Sequence, residues 1–141
     1  MPLTTIEVLA LSERDGCLRY RRLVADLREG VHPDDAARAL SGLTACTPGG
    51  VLHSTSWRYE PGAIVLTYAA LPDPRADLPT ALVQTDAVAT GAPLAPSPAR
   101  LDIDAVAAHA CRHLAQLAVT DYGIAGAAKA QPDLWELIAK A

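Results

Sequence analysis

The sequence predicts an α+β fold, with a mixed or mostly antiparallel sheet packed against helices and a helical C-terminal segment. Short runs of alternating or apolar residues fill the first half of the chain, and Gly- and Pro-containing turns separate them. After position 100 the apolar residues recur instead at helical spacing. Half of the residues are hydrophobic and 20% are charged, as is typical of a folded globular protein.

The first two strands are predicted to form a hairpin. Residues 4–11 alternate in polarity, and residues 17–24 follow after the tight-turn pair Asp15-Gly16. Since successive side chains of a strand point to opposite faces, residues 17–24 have two predicted faces. One face carries Leu18, Tyr20 and Arg22, and the other carries Cys17, Arg19 and Arg21.

Two longer strands are predicted at 51–59 and 63–71, with a shorter one at 81–84. Residues 63–71 are apolar on both faces, which favours a position inside the sheet. Simple alternation places one set of side chains of the 51–59 strand on a common face: Val51, His53, Thr55, Trp57 and Tyr59. Because the chain has no Phe and only two Trp, we expect Trp57 and Tyr59 to serve the core.

Four helices are predicted, at 33–43, 102–120, 124–130 and 132–140. Pro33 suits the first helical position, where its missing N–H costs nothing. The two acids that follow it favour the positive end of the helix dipole. The last helix offers an apolar docking surface: Leu134, Trp135, Leu137 and Ile138.

The chain length suits one domain covering 1–141. We divide it into a sheet-containing body at 1–84, a Pro- and Ala-rich connector at 85–100 and a helical tail at 101–141. The tail is short for an independent domain, so the connector is interpreted as a link within one domain.

Composition excludes several classes of partner. The net charge of −4 does not suit a nucleic-acid binder, and no apolar run is long enough to span a membrane. The N-terminus lacks the features of a secretory signal, which predicts a cytoplasmic protein. The widely spaced Cys17, Cys46 and Cys111 indicate free thiols rather than a disulfide framework or a zinc site.

The stretch "GVHPDDAARALSGLT" at 30–44 resembles the catalytic helix of the Nudix hydrolase family. The order of predicted elements over roughly 4–84 is also similar to that of the family. The resemblance implies a Nudix-like fold, with an ordinary amphipathic helix as the alternative. The matching residues are Gly30, Pro33, Asp34, Asp35, Ala36, Ala37, Arg38 and Leu40.

The residues that make the family catalytic are not matched. Where the family carries metal-binding glutamates, this chain has Ala39, Gly42 and Leu43. The closing Gly of the pattern is Ala45, and the spacing from Gly30 to Arg38 is one residue short. Glutamates in this helix hold the divalent cations that activate water, and the residues present offer no such oxygen. The sequence therefore predicts no metal, no cofactor and no Nudix-type catalytic residue.

A small anionic ligand, for example a nucleotide, is the partner that the remaining polar residues suggest. Arginine recognises carboxylate or phosphate with paired donors, and an aromatic ring can stack on a base. The alternative is that the arginines, including Arg22, simply form ion pairs with Glu7 and Glu13. The candidate ligand-binding residues are Arg19, Arg21, Arg58, His53 and Trp57.

Three functions stay open at this point. The leading hypothesis is a catalytically inactive, Nudix-like binding or regulatory module that self-associates as a homodimer. The second is an enzyme with a site around His53, His109 and His113, of which the last two lie four residues apart on one helix. Two histidines alone do not make a metal site, so a structural role is favoured for that pair. The third hypothesis is an interaction protein on an unrelated α+β fold.

Overall fold

A mixed sheet lies at the centre of the fold in the computed structural model, which describes residues 3–83 and 98–141. The strand order is β3-β4-β1-β2-β5. β1 runs parallel to β4, and every other neighbouring pair is antiparallel. The predicted α+β class is thereby confirmed. The strands are β1 (Leu3–Arg14), β2 (Cys17–Asp26), β3 (Val51–Glu60), β4 (Ala63–Leu71) and β5 (Ala81–Leu82).

Four helices pack around this sheet in the described ranges: α1 (Pro33–Ser41), α2 (Pro98–Thr120), α3 (Tyr122–Ala130) and α4 (Pro132–Lys140). The helical C-terminal segment is thus confirmed, and α2 begins earlier than predicted, at a Pro that suits a first helical turn. The part of the predicted connector at 85–97, and the predicted strand end at Gln84, lie outside the described residues. None of the described helices is long and apolar enough to cross a membrane.

The first helix ends two residues sooner than predicted. Gly42 adopts φ 77° and ψ 1°, the left-handed conformation that terminates a helix, so the helical turn does not reach Leu43. Ser41 Oγ accepts a hydrogen bond from the Leu43 backbone N–H at 3.1 Å. Leu43 nevertheless stays buried against the sheet, because the chain turns back onto it.

Each face of the sheet has its own apolar core. On one face α1 covers residues that include Ile6, Val8 and Tyr68. On the other face α2 and α4 cover residues that include Leu9 and Leu11. Burial of these side chains is the main favourable term that holds the helices to the sheet. The second core contains Trp135, as the predicted docking surface of α4 requires.

The alternation predicted for β2 is confirmed. Tyr20 lies opposite Leu11 and belongs to the core under α2 and α4. Its hydroxyl donates to Asp104 Oδ1 of α2 at 3.0 Å. Arg21 lies opposite Ala10, on the α1 face.

The prediction that alternate residues from Val51 to Tyr59 share one face of β3 is wrong, because a β-bulge interrupts the strand. Ser54 pairs with Tyr68 and Ser56 pairs with Thr67, which leaves Thr55 as an extra residue. The extra residue reverses the alternation. His53 therefore lies opposite Ala69 on the α2 face, whereas Trp57 lies opposite Leu66 on the α1 face.

The prediction that Trp57 and Tyr59 serve the core is also wrong. Their exposed fractions are 68% and 64%. β3 is an edge strand of the described sheet, so side chains near its end project beyond the area that the helices cover. The tryptophan that fills the core is Trp135.

Candidate functional site

A buried carboxylate, that of Glu7 in β1, is the centre of a group of polar side chains on the sheet face that α2 covers. Its exposed fraction is 0%, and the other residues of the stretch 6–11 of β1 are all apolar. Three other strands of the sheet, β2, β3 and β4, each contribute hydrogen-bond donors to it. Arg22 of β2 donates from Nε at 2.7 Å, and Thr67 of β4 donates from Oγ1 at 2.8 Å. Arg58 of β3 donates from Nη1 and Nη2 at 2.9 and 3.1 Å.

The sheet register explains why these four side chains meet. Parallel pairing places Thr67 directly opposite Glu7, and Arg22 lies opposite the next residue on the same face, Leu9. The bulge in β3 then turns Arg58 onto this face. Without the extra residue, simple alternation would send its side chain to the α1 face.

Glu7 is held in its charged form. Burial by itself raises the pKa of Glu7, but the hydrogen bonds from Arg58, Arg22 and Thr67 outweigh it and leave the pKa below its usual value. The same contact with Glu7 raises the pKa of Arg58 despite the opposing effect of burial. The site therefore contains a fixed anion and two fixed cations.

The two edges of the Arg58 guanidinium are bound unequally, one by a buried carboxylate and the other by a half-exposed one. Glu7 occupies the edge formed by Nη1 and Nη2. The other edge, formed by Nε and Nη2, carries a hydrogen bond from Nε to Glu60 Oε2 at 3.0 Å. The Glu60 side chain is 48% exposed, so solvent competes for that contact and the pair is weak.

A cleft opens beside Arg58, between β3 and the N-terminal half of α2. Its volume is about 460 Å³. Two small apolar residues of α2 form one wall. A histidine of α2 and residues 56–60 of β3, which include the aromatic Trp57 and Tyr59, form the rest. The lining residues that matter here are Ser56, Arg58, Glu60, Ala105, Val106 and His109.

The structure brings the three histidines of the second hypothesis next to one another. The ring centroids of His53 and His113 are 5.4 Å apart, and those of His109 and His113 are 6.4 Å apart. Nδ1 of His53 lies 2.7 Å from the Ser54 backbone oxygen, so this nitrogen is the protonated donor. Among the described residues no group of three or more His, Cys, Asp or Glu side chains is arranged to hold a metal ion.

Burial lowers the pKa of His113, and the nearby His53 and His109 lower it further. The neighbouring Cys111 points into the core instead. Burial raises the pKa of its thiol to about 12, so it is not a thiolate nucleophile at neutral pH.

The five sequence-predicted ligand residues do not form one cluster. Arg58 and His53 lie on the α2 face, whereas Arg19, Arg21 and Trp57 lie on the α1 face. Arg21 donates from Nε and Nη2 to Asp73, at 3.1 and 2.8 Å. Arg19 donates from Nε and Nη2 to Thr80, at 2.6 and 2.9 Å.

Sequence reasoning missed Glu60 and Ser56 as members of the site, and it gave Glu7 only the role of an ion-pair partner. One signal was available, namely a lone acid within the apolar run "TTIEVLAL". A buried acid requires compensating donors, so such a residue points to basic partners on the neighbouring strands.

Comparison with known proteins does not place this chain in a family. No protein-family model matches it, and no curated protein matches it significantly. The Nudix resemblance of residues 4–84 therefore stays a prediction.

The Glu7 contacts should make a measurable contribution to stability. Replacing Glu7→Gln leaves Arg22 and Arg58 without their buried anion, and we expect a loss of about 2–4 kcal/mol in the free energy of unfolding. Because the pKa of Glu7 is lower in the folded state, the stabilisation is present above the unfolded pKa near 4.5 and is lost as the pH falls further. Urea unfolding at several pH values measures both effects.

Glu136→Gln is the matched control for this substitution. Glu136 forms an exposed pair with Lys140 on α4, and its loss should cost less than about 0.5 kcal/mol. Two results would contradict the central role of Glu7. One is an equal loss in the free energy of unfolding for the two variants, and the other is a stability of Glu7→Gln that falls at low pH as steeply as that of the wild type.

The histidine cluster predicts a second pH effect. Because the folded-state pKa of His113 is depressed below 6.5, the unfolded state takes up the proton first, and stability should fall as the pH drops below that value. NMR titration of the His113 ring should give a midpoint below the usual one. In His53→Gln the midpoint should move up, since one of the depressing charges is gone. If the His113 midpoint is the same in His53→Gln as in the wild type, the two rings do not interact in solution.

Proposed function

We propose that this chain is a non-catalytic binding domain that takes up a small ligand through a carboxylate or phosphate group at Arg58, in the cleft between β3 and α2. The observation that carries the proposal is that the two edges of the Arg58 guanidinium are held with unequal strength. Buried Glu7 fixes one edge of the guanidinium, and only the half-exposed Glu60 contacts the other. A fixed guanidinium with a replaceable partner is suited to reversible anion binding.

The charges support exchange of Glu60 for a ligand. Arg22 and Arg58 balance Glu7 and Glu60, so the resting site carries no excess charge. When Glu60 turns into solvent, the site gains one positive charge next to an open Nε–Nη2 edge. An exposed ion pair is worth only about 0–1 kcal/mol, which an incoming bidentate anion can replace.

The shape of the cleft supports an organic ligand rather than a bare ion. A volume of about 460 Å³ lies within the usual range for small-molecule sites. Ala105 and Val106 offer an apolar wall, while Ser56 and His109 offer hydrogen bonds. A nucleotide whose phosphate lies at Arg58 fits this description.

The non-catalytic part of the proposal rests on α1. Ala39 and Gly42 are exposed at positions where the Nudix family carries metal ligands, and Leu43 lies in the core. None of these side chains has an oxygen with which to bind a divalent cation. We therefore favour a Nudix-like domain that has kept the scaffold for binding.

The decisive test uses Glu60→Gln. Removing the competing carboxylate should tighten binding of ADP, measured by calorimetry without a divalent cation, by about three- to tenfold. Glu136→Gln serves again as the surface control and should leave the affinity unchanged. Arg58→Gln, once circular dichroism shows it to be folded, should abolish binding. The proposal is wrong if Glu60→Gln binds no better than the wild type, or if ADP, inorganic phosphate and succinate all fail to bind saturably.

A hydrolytic enzyme is the second candidate, favoured by the 5.4 Å contact between the rings of His53 and His113. Paired imidazoles can act as general acid and base if a substrate reaches them. Turnover of nucleoside diphosphate derivatives with Mg²⁺ or Mn²⁺, abolished in His113→Gln, would establish this function and overturn the non-catalytic one. We expect no turnover by the wild-type protein.

A further inference from the structure

A second cleft lies on the opposite face of the sheet, between the start of α1 and the bulged part of β3. Its volume is about 420 Å³. We propose that it binds an organic cation, with an ammonium group on the Asp34 carboxylate and an apolar body against Trp57. This cleft shares Ser56 and Trp57 with the one at Arg58, but the charged group proposed to bind the ligand is Asp34, which lines only this cleft.

The charge in the lining of this cleft comes from an acid. Among the described residues that line it, Asp34 carries a full charge and no lysine or arginine is present. Nδ1 of His32 accepts the Asp34 backbone N–H at 3.1 Å and so donates no hydrogen bond to the carboxylate from that atom. The cleft therefore presents a net negative charge, in contrast to the balanced pairs around Arg58.

The Asp34 carboxylate is positioned by a buried group. Tyr68, whose ring lies in the core under α1, donates its hydroxyl to Asp34 Oδ1. Burial, followed by this contact, raises the pKa of Tyr68 well above its usual value, so the phenol keeps its proton. Oδ2 receives no hydrogen bond from the described residues, and the nearby His32 Nδ1, which accepts the Asp34 backbone N–H, is 4.0 Å away. Oδ2 is thus the oxygen that can accept from a ligand.

The apolar part of the cleft comes from β3, β4 and the first residue of α1. The bulge at Thr55 turns Trp57 onto this face, where 68% of the residue is exposed. Leu66 and Pro33 complete the apolar lining. An indole ring attracts a cation through its π-face, and a nearby carboxylate adds to that attraction. Together these groups select a cation that carries a hydrophobic body.

The test compares three ligands of one shape, namely phenethylammonium, phenethyl alcohol and phenylacetate. Binding is followed by NMR through the indole N–H signals of the two tryptophans. Trp57 lines both clefts, so its signal reports a ligand in either of them, and the Asp34 and Arg58 variants then assign the cleft. Trp135, which is buried on the other face, is the internal reference. We expect phenethylammonium to shift the Trp57 signal saturably with a dissociation constant of about 1 mM, as befits so small a ligand. The alcohol and the acid should bind at least about tenfold more weakly.

Two neighbouring acids give a matched pair of variants. Asp34→Asn keeps an oxygen that can accept the Tyr68 hydroxyl but loses the charge, and it should weaken binding by about tenfold. Asp35→Asn makes the same change one residue further along α1, outside the cleft lining, and should leave binding unchanged. Arg58→Gln should also leave it unchanged, which separates this site from the anion site.

Several results would overturn the inference. They are equal weakening by Asp34→Asn and Asp35→Asn, binding of phenylacetate as tight as that of phenethylammonium, movement of the Trp135 signal alone, and no saturable shift of Trp57. Circular dichroism of each variant confirms that it is folded before binding is compared.

Discussion

The buried negative charge of Glu7 is the constraint on which much of the structure depends. An ionised carboxylate removed from water is costly unless charged donors surround it. Its donors come from β2, β3 and β4, so these strands must keep their alignment with β1. Hydrophobic burial fixes which face each side chain takes, and so excludes a register shift of one residue. A single carboxylate with partners on both sides also disfavours a shift of two residues, which would keep the faces but separate Glu7 from its donors.

This alignment also shapes the edge of the sheet where both clefts lie. The bulge turns Arg58 toward α2, and the two hydrogen bonds to Glu7 fix its guanidinium there. Trp57, the preceding residue, then necessarily projects to the face covered by α1. One stretch of β3 thus contributes to two clefts of different electrostatic character, a balanced one that contains Arg58 and Glu60 and a negative one around Asp34.

The sequence predicted the local elements well because local signals define them. Asp15-Gly16 marks the hairpin, Pro33 and Pro132 open helices, and the apolar run of β4 indicates an internal strand. The functional arrangement depends instead on pairings between distant segments. Parallel pairing of β1 with β4 brings Thr67 to Glu7, and no local pattern encodes that contact. The bulge was missed because Thr55 lies among short hydroxyl-bearing residues that suit either face.

The bulge has a consequence for how this strand tolerates change. The extra residue acts like a shift of reading frame, because every side chain after it changes side relative to those before it. Deleting one residue there would leave the hydrophobic content of the chain almost unchanged. It would nevertheless move the Arg58 guanidinium to the α1 face and the Trp57 indole to the α2 face. Length in this short stretch is therefore under tighter physical control than residue identity, and relatives of the chain should vary in composition there far more readily than in number of residues.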